Sequence, residues 1–316
     1  MKKYFNTIAT ALTALLIIGA LLYWQNYSKT PKRPPSDKIT IAASIFPLGD
    51  IAKNIGRDKV EVITIIPSGA SPHTFSPTPS LIKKLNNAKI VFTIGFSFDS
   101  WSSEITSALP QVAVYPVHSG IKLKTWSDWQ KIFPQRLTWK NNDDPDSIDP
   151  HYWLSPENGR QIAKNIYQQL IKLDPANKQY YYNNWLDFDN KLAKLTTELK
   201  QELKNIPNRN LIVFHDSWNY FAEAFGLNII GVFTPNAGQE PSPQYLKSLY
   251  QVVRKYKIKV IFSEPQLSLS TLKPFLDDLN LKVYLLDPLG GDSPRDSYLN
   301  LLKYNALTIK KALGYE

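Results

Sequence analysis

From Lys38 onward the chain alternates short apolar runs with amphipathic stretches. The runs ITIAASIF, VEVITII, KIVFTIG and QVAVYPV are of strand length and rich in β-branched residues, which predicts strands. Between them, LGDIAKNIG and SLIKKLNNA carry apolar residues at helical spacing. The rhythm returns later with NLIVFHD, NIIGVFT, KVIFSEP and KVYLLDP, followed in turn by SWNYFAEAFG, SPQYLKSLYQVVRKYK and TLKPFLDDLN. Strands alternating with helices pair in parallel through right-handed crossovers. The pattern predicts an α/β protein with two parallel-sheet lobes, which share a rhythm but no repeated sequence.

Between the two sets, residues 177–206 contain neither glycine nor proline. Tyr181, Trp185, Phe188, Leu192 and Leu195 recur there at helical spacing, and a helix of that length spans ~45 Å. We expect a rigid linking helix, with one lobe at 38–176 and the other at 207–316. Ahead of the lobes, Lys2 and Lys3 precede an uncharged stretch from Tyr4 to Trp24, the pattern of a secretory signal. As a helix, Ile8 to Trp24 would reach ~26 Å, near the ~30 Å hydrocarbon core. No small-x-small cleavage site follows. Residues 1–27 are therefore expected to be a signal or, the reading this favours, a retained membrane anchor, and the charged, proline-rich 28–37 a tether. The folded part would then lie outside the cytoplasmic membrane.

Composition narrows the chemistry. The 316 residues are 43% hydrophobic, ample for two lobes, and 12% aromatic, which argues against disorder. No cysteine is present, so disulfides and thiolate metal sites are excluded. A transition metal would have to be held by imidazole and carboxylate. The net charge is +10, but the lysines are dispersed with no long basic run, so they read as solvated helix faces rather than a nucleic-acid footprint.

Four loops stand out. In IDPHYWLSPENG, Ser155 reads as an N-cap and Pro156 as the first helical residue, which puts His151 in the loop before a helix. Asp149 beside it either accepts that ring's second proton, as carboxylates beside ligand histidines do, or sits free in solvent. In PSGASPHTFSPTPS, His73 follows a strand in a proline-stiffened loop. His215 ends the strand of LIVFHDSWNYF, and Asp287 ends the last predicted strand in VYLLDPLGGD. Ligands of open parallel sheets gather at the carboxyl ends of strands. Singly, each residue has an ordinary explanation as a satisfied polar group or turn former. Together, two from each lobe point to a site shared across a cleft. His118, which follows a strand without an adjacent carboxylate, serves as a surface control, and the acidic run DDPDSID reads as a solvated loop apart from Asp149.

At these loops the chain resembles the zinc/manganese-type, TroA-like solute-binding proteins of ABC transporters. The resemblance is carried by SPHTFSPTPS, IVFTIGFSFDSW, DPHYWLSPENG, LDPANKQYYYNNW, FHDSWNYFAEAFGL, QEPSPQYL, IFSEPQ, LDPLGG and SYLNLLKYN, in that order. It implies two α/β lobes joined by a long helix, one metal ion between them, and His73, His151, His215 and Asp287 as its ligands. Glu240, Glu264, Tyr298 and Asn305 match positions taken as supporting. The ion would be transported cargo, delivered by a monomer to a membrane permease. Three departures are evident. The region from Ser119 to Ser147 lacks the histidine-rich loop common in zinc members, Pro72 replaces an acidic residue found in some, and no cysteine is available for lipid attachment.

Three imidazoles and a carboxylate fill a tetrahedral zinc shell and leave no bound water to activate, which suits capture rather than hydrolysis. A histidine at position 215 resembles the zinc-preferring pattern; a glutamate there would resemble the manganese one, and manganese favours harder oxygen donors. Zinc is the expected ion and manganese the alternative. A zinc hydrolase with Asp287 or Glu264 as base, a protein for a metal chelate, and a basic adhesin or nucleic-acid binder are the competing classes. No HExxH pair supports the first.

Overall fold

The computed structural model describes residues 38–137, 144–234, 241–266 and 273–314. The expected anchor and tether at 1–37, and Glu240, lie outside the described residues.

The first sheet is built from β1 (Ile39–Ala43), β2 (Val60–Thr64), β3 (Ile90–Thr93) and β4 (Ala113–Pro116), in the order β2-β1-β3-β4. All its pairings are parallel, with Ile39 opposite Val60, Ala42 opposite Val91 and Ile90 opposite Ala113. The second sheet contains β5 (Asn210–His215), β6 (Asn228–Thr234), β7 (Val260–Ser263) and β8 (Lys282–Leu285), again parallel and ordered β6-β5-β7-β8. The two sheets thus share one connectivity. Inner strand β3 and strand β7 are buried along their whole length, whereas edge strands β4 and β8 have exposed ends, as expected for sheets covered on both faces.

Helices separate the strands. In chain order they are α1 (Phe46–Gly56), α2 (Pro79–Leu85), α3 (Ser102–Ala108), α4 (Trp126–Ile132), α5 (Pro156–Leu173), α6 (Lys178–Glu202), α7 (Asn219–Phe225), α8 (Pro243–Lys255), α9 (Lys273–Leu279) and α10 (Tyr298–Leu313). Their starts are set by local chemistry. Thr125 and Asp128 form a reciprocal capping box on α4, and the Ser155 hydroxyl accepts the Asn158 N–H ahead of Pro156 on α5. Gly226 ends α7 in the left-handed conformation, which glycine adopts without the strain of a Cβ.

Helix α6 is the expected long helix, 25 residues with Tyr181, Phe188, Leu192 and Leu199 buried along one stripe. It ends at Glu202, short of the expected 206. It packs against α1 and α5 on the first-lobe side and against α10, which follows the second sheet. One hydrophobic core runs through both lobes, from Ile41, Val91 and Trp153 to Val213, Trp218 and Phe262. A smaller cluster around Phe214, Ile230, Leu249 and Ile261 lies on the other face of the second sheet.

Candidate metal centre

In each sheet the strand order reverses direction beside the first strand, between β1 and β3 and between β5 and β7. Backbones diverge at such a point and leave a crevice at the carboxyl ends of the strands. The residues of interest lie at those ends. His73 sits in a one-turn 3-10 helix, Pro72–Thr74, after β2; His215 is the last residue of β5; Glu264 follows β7 directly. His151 precedes another such turn, Tyr152–Leu154, which feeds into α5.

The structure brings His73, His151 and His215 together. One ring nitrogen from each lies within 4.8 Å of the other two. Ring centroids are separated by 5.6 Å for His73–His151 and by 5.1 Å for each of the other two pairs. They border a cavity of about 20 Å³, room for one water-sized guest. Ser71, Phe98, Trp153, Glu264, Gln266 and Leu289 are among the other walls. His118 stands elsewhere, 4.9 Å from the Phe96 ring.

Two of the three imidazoles are oriented by carboxylates. Asp149 Oδ1 lies 2.8 Å from His151 Nδ1 and also accepts the His151 backbone N–H at 3.0 Å. That fixes the ring and leaves His151 Nε2 buried with no hydrogen-bond partner among the described residues. A buried lone pair without a donor is costly, and a cation is a natural occupant for it. Glu264 stands behind His215 at a looser, ion-pair distance, with Oε2 3.4 Å from Nδ1. Its other oxygen is held by Ser217 Oγ and Trp218 Nε1, both at 2.8 Å. A further layer ties the Asp149 carboxylate to the second lobe. Asn219 Nδ2 donates to Asp149 Oδ2 at 3.2 Å and to Asp216 Oδ1 at 2.8 Å, and Asp216 pairs with Arg136.

Charge states follow from this packing. Burial of the ring first, then the neighbouring histidines, push His73 down to about 3, although the residue as a whole is exposed, unlike the other two. Burial and His215 likewise push His151 down to about 3. Both are therefore neutral, the form that ligates. His215 differs. Burial lowers its pKa, but the charge of Glu264, its hydrogen bond, and Asp216 and Asp149 outweigh burial and raise it. Burial raises Asp149 to about 7 against the hydrogen bonds from His151 and Asn219.

Asp287 is placed differently from the histidines. It is buried, but it is not one of the clustered ligands, and its carboxylate is bound by its own loop and by Arg295, 2.7 Å away. Asn305 grips the Asp287 backbone from both sides, accepting its N–H at 2.9 Å and donating to its carbonyl at 2.8 Å. Tyr298 donates to the Trp153 carbonyl at 2.6 Å and so steadies the turn after His151. Arg295, Phe98 and Trp153 are absent from the sequence reading as site residues. Only the aromatic content of FSFDSW and HYW hinted at the latter two.

Two parallel-sheet lobes with three imidazoles converging on an ion-sized cavity define a metal-capturing binding protein. The model of the family described as zinc-uptake complex component A, periplasmic, matches residues 41–312, and the chain belongs to that family. Among curated relatives, the metal ABC transporter substrate-binding lipoprotein FimA of Streptococcus parasanguinis is 29% identical, over 99% of this chain and all of that one. The manganese ABC transporter substrate-binding lipoprotein PsaA of Streptococcus pneumoniae is 28% identical over the same shares. Among solved structures, a crystal structure of ZnuA is 32% identical with a TM-score of 0.76, covering 88% of this chain and 100% of that one. The Mn-bound periplasmic metal-binding protein from Candidatus Liberibacter asiaticus is 25% identical with a TM-score of 0.74, covering 87% and 100%. The chain is accordingly the substrate-binding component of a metal ABC transporter. It is not an enzyme, and its partners are a metal ion and a permease.

Proposed function

We propose that this chain captures Zn²⁺ outside the cytoplasmic membrane and hands it to the permease. The proposed ligands are His73, His151, His215 and Asp287. One observation carries the reading: three imidazole nitrogens gather within 4.8 Å around a cavity of single-ion size. A nitrogen-dominated set suits zinc, whereas manganese prefers more oxygen donors, and such a set binds zinc more tightly than manganese in any case. Three converging imidazoles suit a bare ion, whereas a siderophore or corrinoid chelate brings its own ligands and would not need them. The lobes at 38–176 and 207–316 would act as the two jaws and the helix within 177–206 as their brace.

Among the described residues, no helix is long and apolar enough to cross a membrane. The relatives are named lipoproteins, but this sequence has no cysteine to carry a thioether-linked lipid. The apolar stretch from Ile8 to Trp24 is the segment we propose as anchor.

Manganese is the second reading, favoured by relatives that are named for it. Native mass spectrometry with elemental analysis of protein isolated from its own cells decides between them. One zinc per chain is expected. Stoichiometric manganese would replace the zinc assignment, and absence of any bound metal under competition titration would end the reading.

A further inference from the structure

Asp287 stands apart from the three histidines because its carboxylate is already engaged. Oδ1 accepts the backbone N–H groups of Leu289 at 2.9 Å and Gly290 at 3.0 Å, and Gln266 Nε2 at 3.3 Å. Oδ2 lies 2.7 Å from Arg295 Nε, an ion-pair contact whose N–H direction falls outside hydrogen-bond geometry. The loop is shaped to deliver that guanidinium. Gly291 N–H donates to the Arg295 carbonyl at 2.9 Å, and the Arg295 N–H donates to Asp292 O at 2.6 Å. Gly290 and Gly291 have φ of 70° and 113°, a turn that a side chain would strain. The guanidinium also lies 5.0 Å from the Tyr304 ring centroid.

The pair is enclosed, with side-chain exposures of 16% for Arg295 and 4% for Asp287. Salt and water screen it little, and separating the two leaves a buried charge uncompensated. An ion in the cavity that recruits the Asp287 oxygen must therefore draw it away from Arg295. An ion content with imidazole nitrogen gives up little when that oxygen is withheld. An ion that depends on hard oxygen donors gives up much.

We propose that Arg295 sets the metal preference of this site by competing with the ion for the Asp287 carboxylate, an inference that rests on the ligand set given above. Arg295 is a positioning residue; it acts through Asp287 rather than on the ion. In the full chain, the arginine biases the site against manganese and towards zinc.

The test is to titrate the full chain with Zn²⁺ and with Mn²⁺ against a chelating dye, in wild type, Arg295→Gln, Asp287→Asn and the double variant. Arg295→Gln should bind manganese at least tenfold more tightly and move the zinc-to-manganese affinity ratio about tenfold towards manganese. Adding Asp287→Asn should erase that gain. An unchanged ratio in Arg295→Gln overturns the proposal. So does a gain that survives Asp287→Asn, because it would then reflect only the loss of a positive charge. If Arg295→Gln does not fold, Asp287→Asn alone still decides. It should weaken zinc by less than tenfold and manganese by more, and a zinc loss matching that of His151→Ala overturns the proposal. Metal binding that is indifferent to His151→Ala would instead bring down the ligand set itself.

Discussion

Asp149 Oδ1 stands 2.8 Å from His151 Nδ1, so the imidazole is locked with its other nitrogen facing the cavity. Asp149 is fully buried and belongs to the same network as Asn219 and Asp216, which gives the ring a rigid backing. Asp149→Asn would keep the shape and lose the charged acceptor. Zinc affinity should fall about 10–100-fold, the usual cost of removing such a partner. Dye competition on the purified chain measures this, and an unchanged affinity would mean the pair does not orient a ligand.

The three imidazoles should matter more than the carboxylates that back them. Alanine at His73, His151 or His215 is expected to cost at least about 100-fold in zinc affinity, beyond the range for outer partners. His118→Ala should leave affinity unaltered, since His118 packs on Phe96 away from the trio. Equal losses at all four histidines would point to a general effect on folding.

Acid should unload the protein through one residue first. His73 and His151, pushed down to about 3, stay neutral through the physiological range. His215, raised above its ordinary value, holds a proton that the ion must displace. At high pH that proton is absent and affinity is at its plateau. As pH falls below the His215 pKa, affinity should drop about tenfold per pH unit, with one proton released per ion bound. The onset is expected above about 6.5, the unperturbed histidine value. Isothermal titration in buffers of different ionisation enthalpy counts the protons, and a flat profile from pH 8.5 to 5.5 would contradict histidine ligation at position 215.

Gly159 predicts a stability effect remote from the ion. A Cβ there would sit 2.3 Å from Tyr298 Oη and 2.8 Å from two ring carbons. The contact lets α5 and α10 approach closely enough for Tyr298 to reach the Trp153 carbonyl. Gly159→Ala should destabilise the protein by about 1–3 kcal/mol through overpacking. Tyr298→Phe should cost about 1–3 kcal/mol by leaving that carbonyl unpaired. Chemical denaturation of the metal-free protein tests both.

The strand ends were the most legible part of the molecule, because β-branched runs ending in His, Asp or Glu announce themselves without knowledge of the fold. The boundary of the first strand was less so: ITIAASIF reads as one run, yet the strand stops at Ala43 and Pro47 lies in the first turn of α1. The Asp149–His151 relationship was readable because it spans two positions. The Glu264–His215 contact was not, since the residues are 49 apart in sequence. It arises from register: Val213 lies opposite Phe262 in neighbouring parallel strands, so two residues further on 215 lies beside 264. Arg295 was invisible for a different reason. Its reach back to Asp287 depends on the positive φ of Gly290 and Gly291, and a sequence says that glycine permits such a turn without saying where the turn leads.

The hydrophobic interior shared by both lobes bears on how the cargo leaves. Residues as distant as Ile41 and Phe262 belong to one unbroken oily mass, braced by α6 across its flank. Swinging the jaws wide would wet that mass, at roughly 25 cal/mol for each Å² uncovered. Thermal motion alone is a poor source of such energy. Were release to need such a swing, surface offered by the permease in exchange would offset that cost, and a carrier adrift from its membrane would be expected to keep what it has caught.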